Sequence, residues 1–180
     1  SHTYVASVAA INHVGAKPIF VDINDDFNIN PKLIEKKITK RTKAILVVHL
    51  NGRSCHMKPI IRIAKKHKLK IIEDAAQAFG AKYNNRFVGN FGFAAAFSLH
   101  PMKNLSVPGD GGFLTTNNKK VYKSVMLLRD HGRKKSKGKV TRECYGFNSR
   151  LDNLHASIAL VKLKYFFSWT KKRNDVAKTY

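Results

Sequence analysis

Apolar and polar residues follow two different periods along the chain. Continuous apolar runs bounded by polar or turn residues predict β-strands at 17–23, 42–50, 69–75, 94–99 and 111–116. Apolar residues spaced by three and four positions predict helices at 3–15, 31–38, 57–68, 119–132 and 151–167, with another beginning at 169. Because helices and strands alternate, we predict a three-layer α/β/α domain in which helices flank a mainly parallel sheet.

Polar side chains stand at the ends of three predicted strands. His49, Asp74 and Ser98 each end a strand, and Lys103 follows Ser98 by five positions. The carboxyl ends of parallel strands meet at one edge of a sheet, where the active sites of α/β proteins collect. Three of these residues also have an ordinary structural interpretation: a solvated loop lysine, a turn carboxylate after a strand, and a hydroxyl bonded to its own backbone.

The chain is strongly basic. It holds 34 Lys and Arg residues against 11 Asp and Glu, a formal net charge of +23. Clustered basic residues bind phosphate backbones, but here they are scattered through every segment and are not interleaved with aromatic residues. We therefore expect no specific nucleic-acid binding. Segment 133–142 is mostly basic, with Val140 as its one apolar residue, and we predict a mobile surface loop there.

Cysteine use and hydropathy narrow the cellular setting. Cys55 and Cys144 lie far apart and form no CxxC pair, so we predict neither a disulfide framework nor a metal site. A reducing, cytoplasmic location is the expectation that follows. No apolar run approaches the roughly 20 residues that span a bilayer, so we predict no membrane association.

Four segments of the chain resemble one enzyme family. They are EDAAQAFGA (73–81), FSLHPMKNLSVPGDGG (97–112), LRDHG (128–132) and YGFNSRLDNLHASI (145–158). Together they resemble the DegT/DnrJ/EryC1/StrS aminotransferases, which act on nucleotide-linked sugars with pyridoxal 5'-phosphate. The resemblance implies the large domain of a fold type I enzyme over residues 1–168, and at 169–180 the start of a helix leading to a smaller domain.

The resemblance also assigns roles to individual residues. It implies that Lys103 forms the covalent link with the cofactor and moves protons, and that Asp74 faces the pyridine nitrogen. Gln77 would contact the ring hydroxyl and Tyr4 would stack on the ring. Ser98 and Asn148 would bind the cofactor phosphate. The remaining candidates lie near the substrate or behind the cofactor residues: His100, Arg129, His131 and Arg150.

Several of these residues keep a structural alternative. Gln77 could be a solvated amide, Tyr4 a core aromatic residue, and His100 purely structural. Asn148 and Arg150 could belong to a loop before a helix that Asp152 caps.

By resemblance, the complete enzyme is expected to move an amino group from glutamate to the ketone of a nucleotide-linked sugar. Asn148 and Arg150 match a segment that enters the neighbouring subunit's site, which implies a homodimer with shared sites. Sugar dehydratases of the same family, which carry histidine in place of the lysine, are one alternative. A catalytically silent or regulatory relative is another.

The sequence also departs from the family pattern. Asn51, Phe93 and Pro108 replace residues that the family usually has, which leaves the identity of the sugar open. Family members hold the cofactor phosphate at a Gly-Ser/Thr turn before the matched region. We therefore expect the chain to be the central part of a longer enzyme.

Overall fold

The computed structural model of the protein describes residues 2–180. Within these residues the helices are α1 Val5–His13, α2 Pro31–Ile34, α3 Met57–Lys66, α4 Lys119–Leu128 and α5 Asn153–Ala177. Two short 3-10 helices cover Glu35–Lys37 and Leu50–Gly52. The strands are β1 Ala44–Val48, β2 Lys70–Asp74, β3 Lys82–Tyr83, β4 Arg86–Phe87, β5 Ala94–Ser98, β6 Gly112–Thr115, β7 Arg133–Ser136 and β8 Lys139–Arg142.

Three of the helices begin at a polar capping side chain. Asn30 accepts a hydrogen bond from the N–H of Lys32 just before α2, and Pro31 occupies the first position, where no N–H is needed. Asn118 caps α4, and Asp152 caps α5 by accepting from the N–H of His155 at 2.8 Å. The capping role expected of Asp152 is therefore confirmed.

The central sheet is mixed and mostly parallel. Its strand order is β1-β2-β5-β6. Strands β1, β2 and β5 run parallel, and β6 pairs antiparallel with β5. This arrangement agrees with the predicted α/β class. Two small antiparallel hairpins, β3-β4 and β7-β8, lie outside this sheet.

The two faces of the sheet differ in how well they are covered. Val47, Glu73 and Ala95 are aligned on one face and are buried. On that face the apolar side chains of β1 and β2 pack against α3 in one core cluster: Ile45, Val47, Ile71, Ile60, Ile63 and Ala64. The opposite face, which carries Asp74, is more open, and Ile72 there remains 37% exposed.

The predicted strand 17–23 is wrong. Within the described residues this segment forms no strand, and only Ile23 makes an isolated bridge, with Ile29. The backbone N–H of Asn30 donates to the carbonyl of Asp22, so the contact is local to a turn. An apolar run becomes a strand only where a partner strand lies beside it, and Phe20 stays 54% exposed.

The segment 133–142, predicted to be a mobile surface loop, lies at the surface but forms the β7-β8 hairpin. Ser136 pairs with Lys139 across a two-residue turn. Lys137 and Gly138 both have positive φ angles, 46° and 76°, as a type I′ turn requires. The two turn residues, Lys137 and Gly138, are a hairpin signal that the prediction from basic composition did not use.

A single helix replaces the two helices predicted after residue 150. Helix α5 continues from Asn153 through Ala177 without a break at 169. The hydroxyls of Ser168 and Thr170 donate to carbonyls of the preceding turn, so these polar residues do not interrupt it. Within residues 2–180, no helix is both long enough and apolar enough to cross a membrane.

Candidate active site

Asp74 is the last residue of β2, and its carboxylate is held in one orientation. Oδ1 accepts a hydrogen bond from the N–H of Ala76 at 3.0 Å, and Oδ2 accepts one from Oγ of Ser7 at 2.6 Å. Its main-chain carbonyl accepts from the N–H of His49. The side chain is half-buried at the open face of the sheet. An ionised carboxylate fixed in this way can accept a further hydrogen bond from a ligand.

Gln77 lies in the turn after β2 and is anchored through its oxygen. Oε1 accepts a hydrogen bond from the N–H of Asn51 at 2.8 Å. Asn51 has a φ angle of 52°, in the left-handed region that asparagine tolerates better than most residues. Since the oxygen is engaged, the side-chain NH₂ group is the part of Gln77 available to donate to a ligand.

Ser98 is the last residue of β5, and Lys103 lies in the tight loop that follows. Oγ of Ser98 accepts a hydrogen bond from the N–H of His100 at 3.2 Å, as the structural interpretation of this hydroxyl expected. Within residues 2–180 its own proton has no acceptor, so it can still donate. Nδ1 of His100 accepts from the N–H of Met102, and the N–H of Lys103 donates to the carbonyl of His100. The lysine side chain is half-buried.

The loop that carries Lys103 is anchored by the residues that follow the lysine, at 105–107. Leu105 and Val107 are buried in a cluster with Phe166 of α5. Nζ of Lys162 donates to the carbonyl of Ser106 at 2.8 Å and contacts its Oγ at 3.1 Å. Helix α5 therefore supports the loop, which fixes where the lysine backbone can be.

The first turn of α1 contacts Asp74. Ser7 is the one buried residue of that helix, and its hydroxyl donates to the Asp74 carboxylate. Tyr4, at the N-cap, is 72% exposed, so the core-packing alternative for its ring is wrong. Tyr4 directly precedes the helical turn whose Ser7 contacts Asp74. Sequence reasoning missed Ser7, since a serine in an apolar helix carries no distinctive signal.

His49 stands at the predicted edge but does not join Asp74. Its ring is fully buried, and Nε2 lies 3.0 Å from Oε2 of Glu73. Nδ1 accepts a hydrogen bond from the N–H of Cys55, so the proton is on Nε2 and points at the carboxylate. The expectation that His49 lies with Asp74 and Ser98 is therefore wrong. Its side chain lies on the covered face.

Glu73 is a buried carboxylate with all of its partners in place. Oε1 accepts from the N–H groups of Phe91 and Gly92, and Oε2 accepts from that of Gly89. Burial raises the pKa of Glu73, but the hydrogen bonds from His49 and from the Gly89 and Gly92 backbones outweigh it and hold this pKa below its ordinary value. Glu73 thus fastens loop 89–92 to the sheet.

Cys55 is buried in the same region and is not a nucleophile. Its thiol donates to the carbonyl of Val48 at 3.0 Å. Burial raises the pKa of this thiol to about 12, so it stays protonated at neutral pH.

A second group of predicted residues gathers at the end of α4, apart from Asp74. Asp130 and Asn148 form a backbone bridge that joins the LRDHG and YGFNSR segments. Oδ1 of Asp130 accepts from Arg133 at 2.6 Å and lies 3.3 Å from Arg150, and the hydrogen bond from Arg133 holds the pKa of Asp130 below its ordinary value. Gly132 has a φ angle of 69° and packs so closely against the carbonyl of Cys144 that a side chain would clash.

This second group is exposed and is not hydrogen-bonded to the sheet edge. Arg129, His131, Asn148 and Arg150 are all exposed, and Phe147 between them is 68% exposed. Among residues 2–180, no hydrogen bond connects these side chains with Asp74, Gln77, Ser98 or Lys103. The structure therefore gathers the predicted site residues into two groups.

The three departures from the family pattern have distinct environments. Asn51 positions Gln77, as described above. The Phe93 ring lies under Nζ of Lys70, 5.0 Å from the ring centre, and Pro108 is exposed. Among the described residues, no three His, Cys, Asp or Glu side chains converge as metal ligands would.

Comparison with known proteins assigns the family. The DegT/DnrJ/EryC1/StrS aminotransferase family matches residues 1–180. The chain belongs to this family. Its similarity to members of the DegT/DnrJ/EryC1/StrS family extends over nearly every residue.

Two relatives and one solved structure illustrate the match. The dTDP-3-amino-3,6-dideoxy-alpha-D-galactopyranose transaminase of Aneurinibacillus thermoaerophilus is 49% identical, over 100% of this chain and 49% of the relative. A pleiotropic regulatory protein of Geobacillus stearothermophilus is 46% identical, over 99% of this chain and 47% of the relative. The chain superposes on Helicobacter pylori PseC, an aminotransferase involved in the biosynthesis of pseudoaminic acid, with a TM-score of 0.95 at 32% identity. The match covers 99% of this chain and 48% of PseC. The chain thus spans about half the length of these proteins.

Proposed function

We propose that the complete protein is a pyridoxal-phosphate-dependent aminotransferase that converts a ketone of a nucleotide-linked sugar into an amine. The observation that carries this proposal is the group formed by Asp74, Gln77 and the Ser98–Lys103 loop at the open face of the sheet. These residue types occur there in a chain of an aminotransferase family, and a transaminase relative is named for a dTDP-linked amino sugar.

The donors and acceptors of this edge match the polar groups of pyridoxal phosphate. Asp74 would accept a hydrogen bond from the protonated pyridine nitrogen, Gln77 would donate to the ring hydroxyl, and Ser98 would donate its free proton to the phosphate. Tyr4, exposed beside the Asp74 turn, would cover the ring. When bound, the cofactor supplies a ring that accepts electrons from the carbon attached to the transferred nitrogen.

Lys103 would serve in two ways. Its Nζ would hold the cofactor through a covalent bond in the resting enzyme, and the freed amine would then carry a proton between two carbon atoms. The hydrogen-bonded turn at His100 and the support from α5 fix the backbone of this lysine, which limits the positions that Nζ can reach. His100 supports the turn through Nδ1, which favours a structural role for it.

The second group of residues fits an anionic substrate. Arg129, His131 and Arg150 lie beside the β7-β8 hairpin, whose side chains are mostly basic. We propose that Arg129 and Arg150 attract the diphosphate of a sugar nucleotide, that His131 contacts it, and that glutamate is the amino donor. No segment resembles the arginine motif with which amino-acid aminotransferases hold a substrate carboxylate.

The separation of the two groups supports a homodimer. Asn148 is exposed, and within residues 2–180 its side chain contacts Arg150 at 3.5 Å and makes no hydrogen bond to the Asp74 edge, so its NH₂ group is available to the cofactor phosphate of a partner subunit. If the sites are shared, a mixture of the inactive variants Lys103→Ala and Asn148→Ala should regain roughly a quarter of wild-type activity after random subunit exchange. No recovery of activity after proven subunit exchange would contradict shared sites.

We also propose that the enzyme acts in the cytoplasm.

The substrate class can be tested with the full-length protein in its amine-loaded form. Keto-sugar nucleotides and simple 2-keto acids are offered in parallel, and amination of the sugar nucleotides is expected. In a separate sample loaded with the aldehyde form, borohydride reduction followed by peptide mapping should find the pyridoxyl group on Lys103. Amination of 2-keto acids with no sugar nucleotide accepted would overturn the substrate class, and labelling of another lysine would overturn the site.

A regulatory role is the second candidate, because one relative is named a pleiotropic regulatory protein. A purified full-length protein that binds the cofactor but turns over none of the nucleotide-linked keto sugars would favour it. A sugar dehydratase is disfavoured, because Lys103 stands where that branch carries histidine.

A further inference from the structure

The single buried residue of α1 is polar. Helix α1 is rich in apolar residues, yet Val5 is 68% exposed, while Ser7 is only 7% exposed. A buried hydroxyl needs a partner, and Ser7 has one 67 positions away in sequence, the carboxylate of Asp74 at 2.6 Å. The way α1 packs on the sheet thus centres on one hydrogen bond to the proposed cofactor acid.

We propose that Ser7 is a positioning residue that holds the carboxylate of Asp74 in the orientation that the cofactor needs, and that Thr3 supports it. This inference rests on the proposed function and adds to it two residues outside the four family segments. Among residues 2–180 the Ser7 hydroxyl bonds only to Thr3 and Asp74, so its influence is exerted on the carboxylate.

The direction of the hydrogen bonds follows from the donor inventory. An ionised carboxylate only accepts, so the single hydroxyl proton of Ser7 is directed to Oδ2 of Asp74. Oγ1 of Thr3 lies 3.0 Å from Oγ of Ser7, and because the Ser7 proton is already used, Thr3 is the donor. The chain Thr3 to Ser7 to Asp74 therefore points all its donors toward the negative charge, and each bond strengthens the next.

The two oxygens of Asp74 have different partners. Ala76 engages Oδ1 through the backbone and Ser7 engages Oδ2 through a side chain. Two donors on different oxygens fix the plane of the carboxylate. A hydrogen bond to a charged acceptor contributes more than a neutral one, which makes its loss measurable.

The test uses the full-length protein loaded with pyridoxal phosphate and the variants Ser7→Ala and Ser7→Thr. In Ser7→Ala we expect the pH at which the absorption band of the bound cofactor changes to shift, and kcat to fall about tenfold. Ser7→Thr keeps the hydroxyl and should restore both. Ser7→Ala should still fold, with a lower temperature of thermal unfolding, because it loses a hydrogen bond to a charged acceptor. Ser124→Ala, at an exposed serine of α4, is the matched control.

Thr3→Val provides a second test that leaves Ser7 intact. It should move the absorption profile in the same direction by a smaller amount, with a two- to threefold loss of kcat. A Ser7→Ala enzyme with normal cofactor content and a wild-type absorption profile would overturn this inference and leave the proposed function standing. A wild-type protein that takes up no cofactor would overturn both.

Discussion

The two faces of the central sheet treat adjacent carboxylates in opposite ways. Glu73 points to the covered face, where it is fully buried and accepts hydrogen bonds from His49 and three backbone N–H groups. Asp74 points to the open face, where it is half-buried and accepts from Ser7 and Ala76. Glu73 receives all the hydrogen bonds that its two oxygens can accept from donors inside the protein. Asp74 can still accept a hydrogen bond from a ligand.

This difference separates stability from chemistry along one strand. A buried charge that is fully paired is costly to disturb, because its partners are left without a bond. A carboxylate with a free lone pair at an open edge is available to a ligand. Glu73 is therefore expected to hold the fold, and Asp74 the cofactor.

The largest effect is expected at Lys103 on the open face. Lys103→Ala removes both the covalent anchor and the proton carrier, so transamination should fall by a factor of about 10³ or more. Steady-state kinetics and the mass of the borohydride-treated protein measure the two losses. Lys119→Ala, at an exposed lysine, is the control. Substantial activity in Lys103→Ala would remove this lysine from the mechanism.

The next effect is expected at Glu73, on the covered face. Glu73→Gln keeps the shape but removes the charge and turns an NH₂ group toward backbone donors, which should lower the free energy of unfolding by about 2–4 kcal/mol. Denaturant titration measures it. A stable Glu73→Gln protein would show that the His49–Glu73 pair is not structural.

The pH dependence of that loss has a definite sign. The pKa of Glu73 is lower in the folded protein than its ordinary value of 4.5. Its ionised form therefore stabilises the fold above that value, and the contribution is lost as the pH falls through the lower, folded pKa. The difference in unfolding free energy between wild type and Glu73→Gln should be full at neutral pH and shrink in acid.

Asp74→Asn makes the same chemical change one residue further on, and is the matched partner of Glu73→Gln. An amide cannot stabilise a positive pyridine nitrogen, so kcat should fall about a hundredfold. The free energy of unfolding should change by less than about 1 kcal/mol, because the side chain is only half-buried. If Asp74→Asn unfolds more easily than Glu73→Gln and keeps its activity, the division between the faces fails.

The smallest effect is expected where α5 supports the lysine loop. Lys162→Met keeps the length of the side chain but removes its hydrogen bonds to Ser106, at a cost of about 1 kcal/mol in unfolding free energy. Cofactor binding should weaken slightly through the loop. Lys164→Met, at an exposed position of the same helix, serves as the control. Equal results for the two variants would mean that this contact does not hold the loop.

Much of the fold could be read from local patterns. The runs at 42–50, 69–75 and 94–99 became β1, β2 and β5, because each is apolar and has a partner on at least one side. The run at 17–23 looked similar but found no partner strand among the described residues, and pairing is not a local property. The hairpin at 133–142 was missed because basic composition received more weight than its Lys-Gly turn.

The site could be predicted only in part, because the contacts that build it also join segments distant in sequence. That Asp74 and Ser98 share an edge followed from the direction of parallel strands. That His49 turns away from them, to meet Glu73, depends on which side of the sheet each side chain faces. Ser7 gave no signal at all, since its partner lies 67 residues away and only the packing of α1 brings the two together.

Periodicity and short motifs were enough to predict the α/β class, the strands of the central sheet, and the residue types of the four family segments. Only the folded chain shows that neighbouring carboxylates have opposite environments, that α1 contacts the sheet through Ser7, and that Asn148 lies apart from Asp74. The physical reason is that hydrogen-bond satisfaction and burial are properties of contacts between distant segments, which a local pattern does not encode.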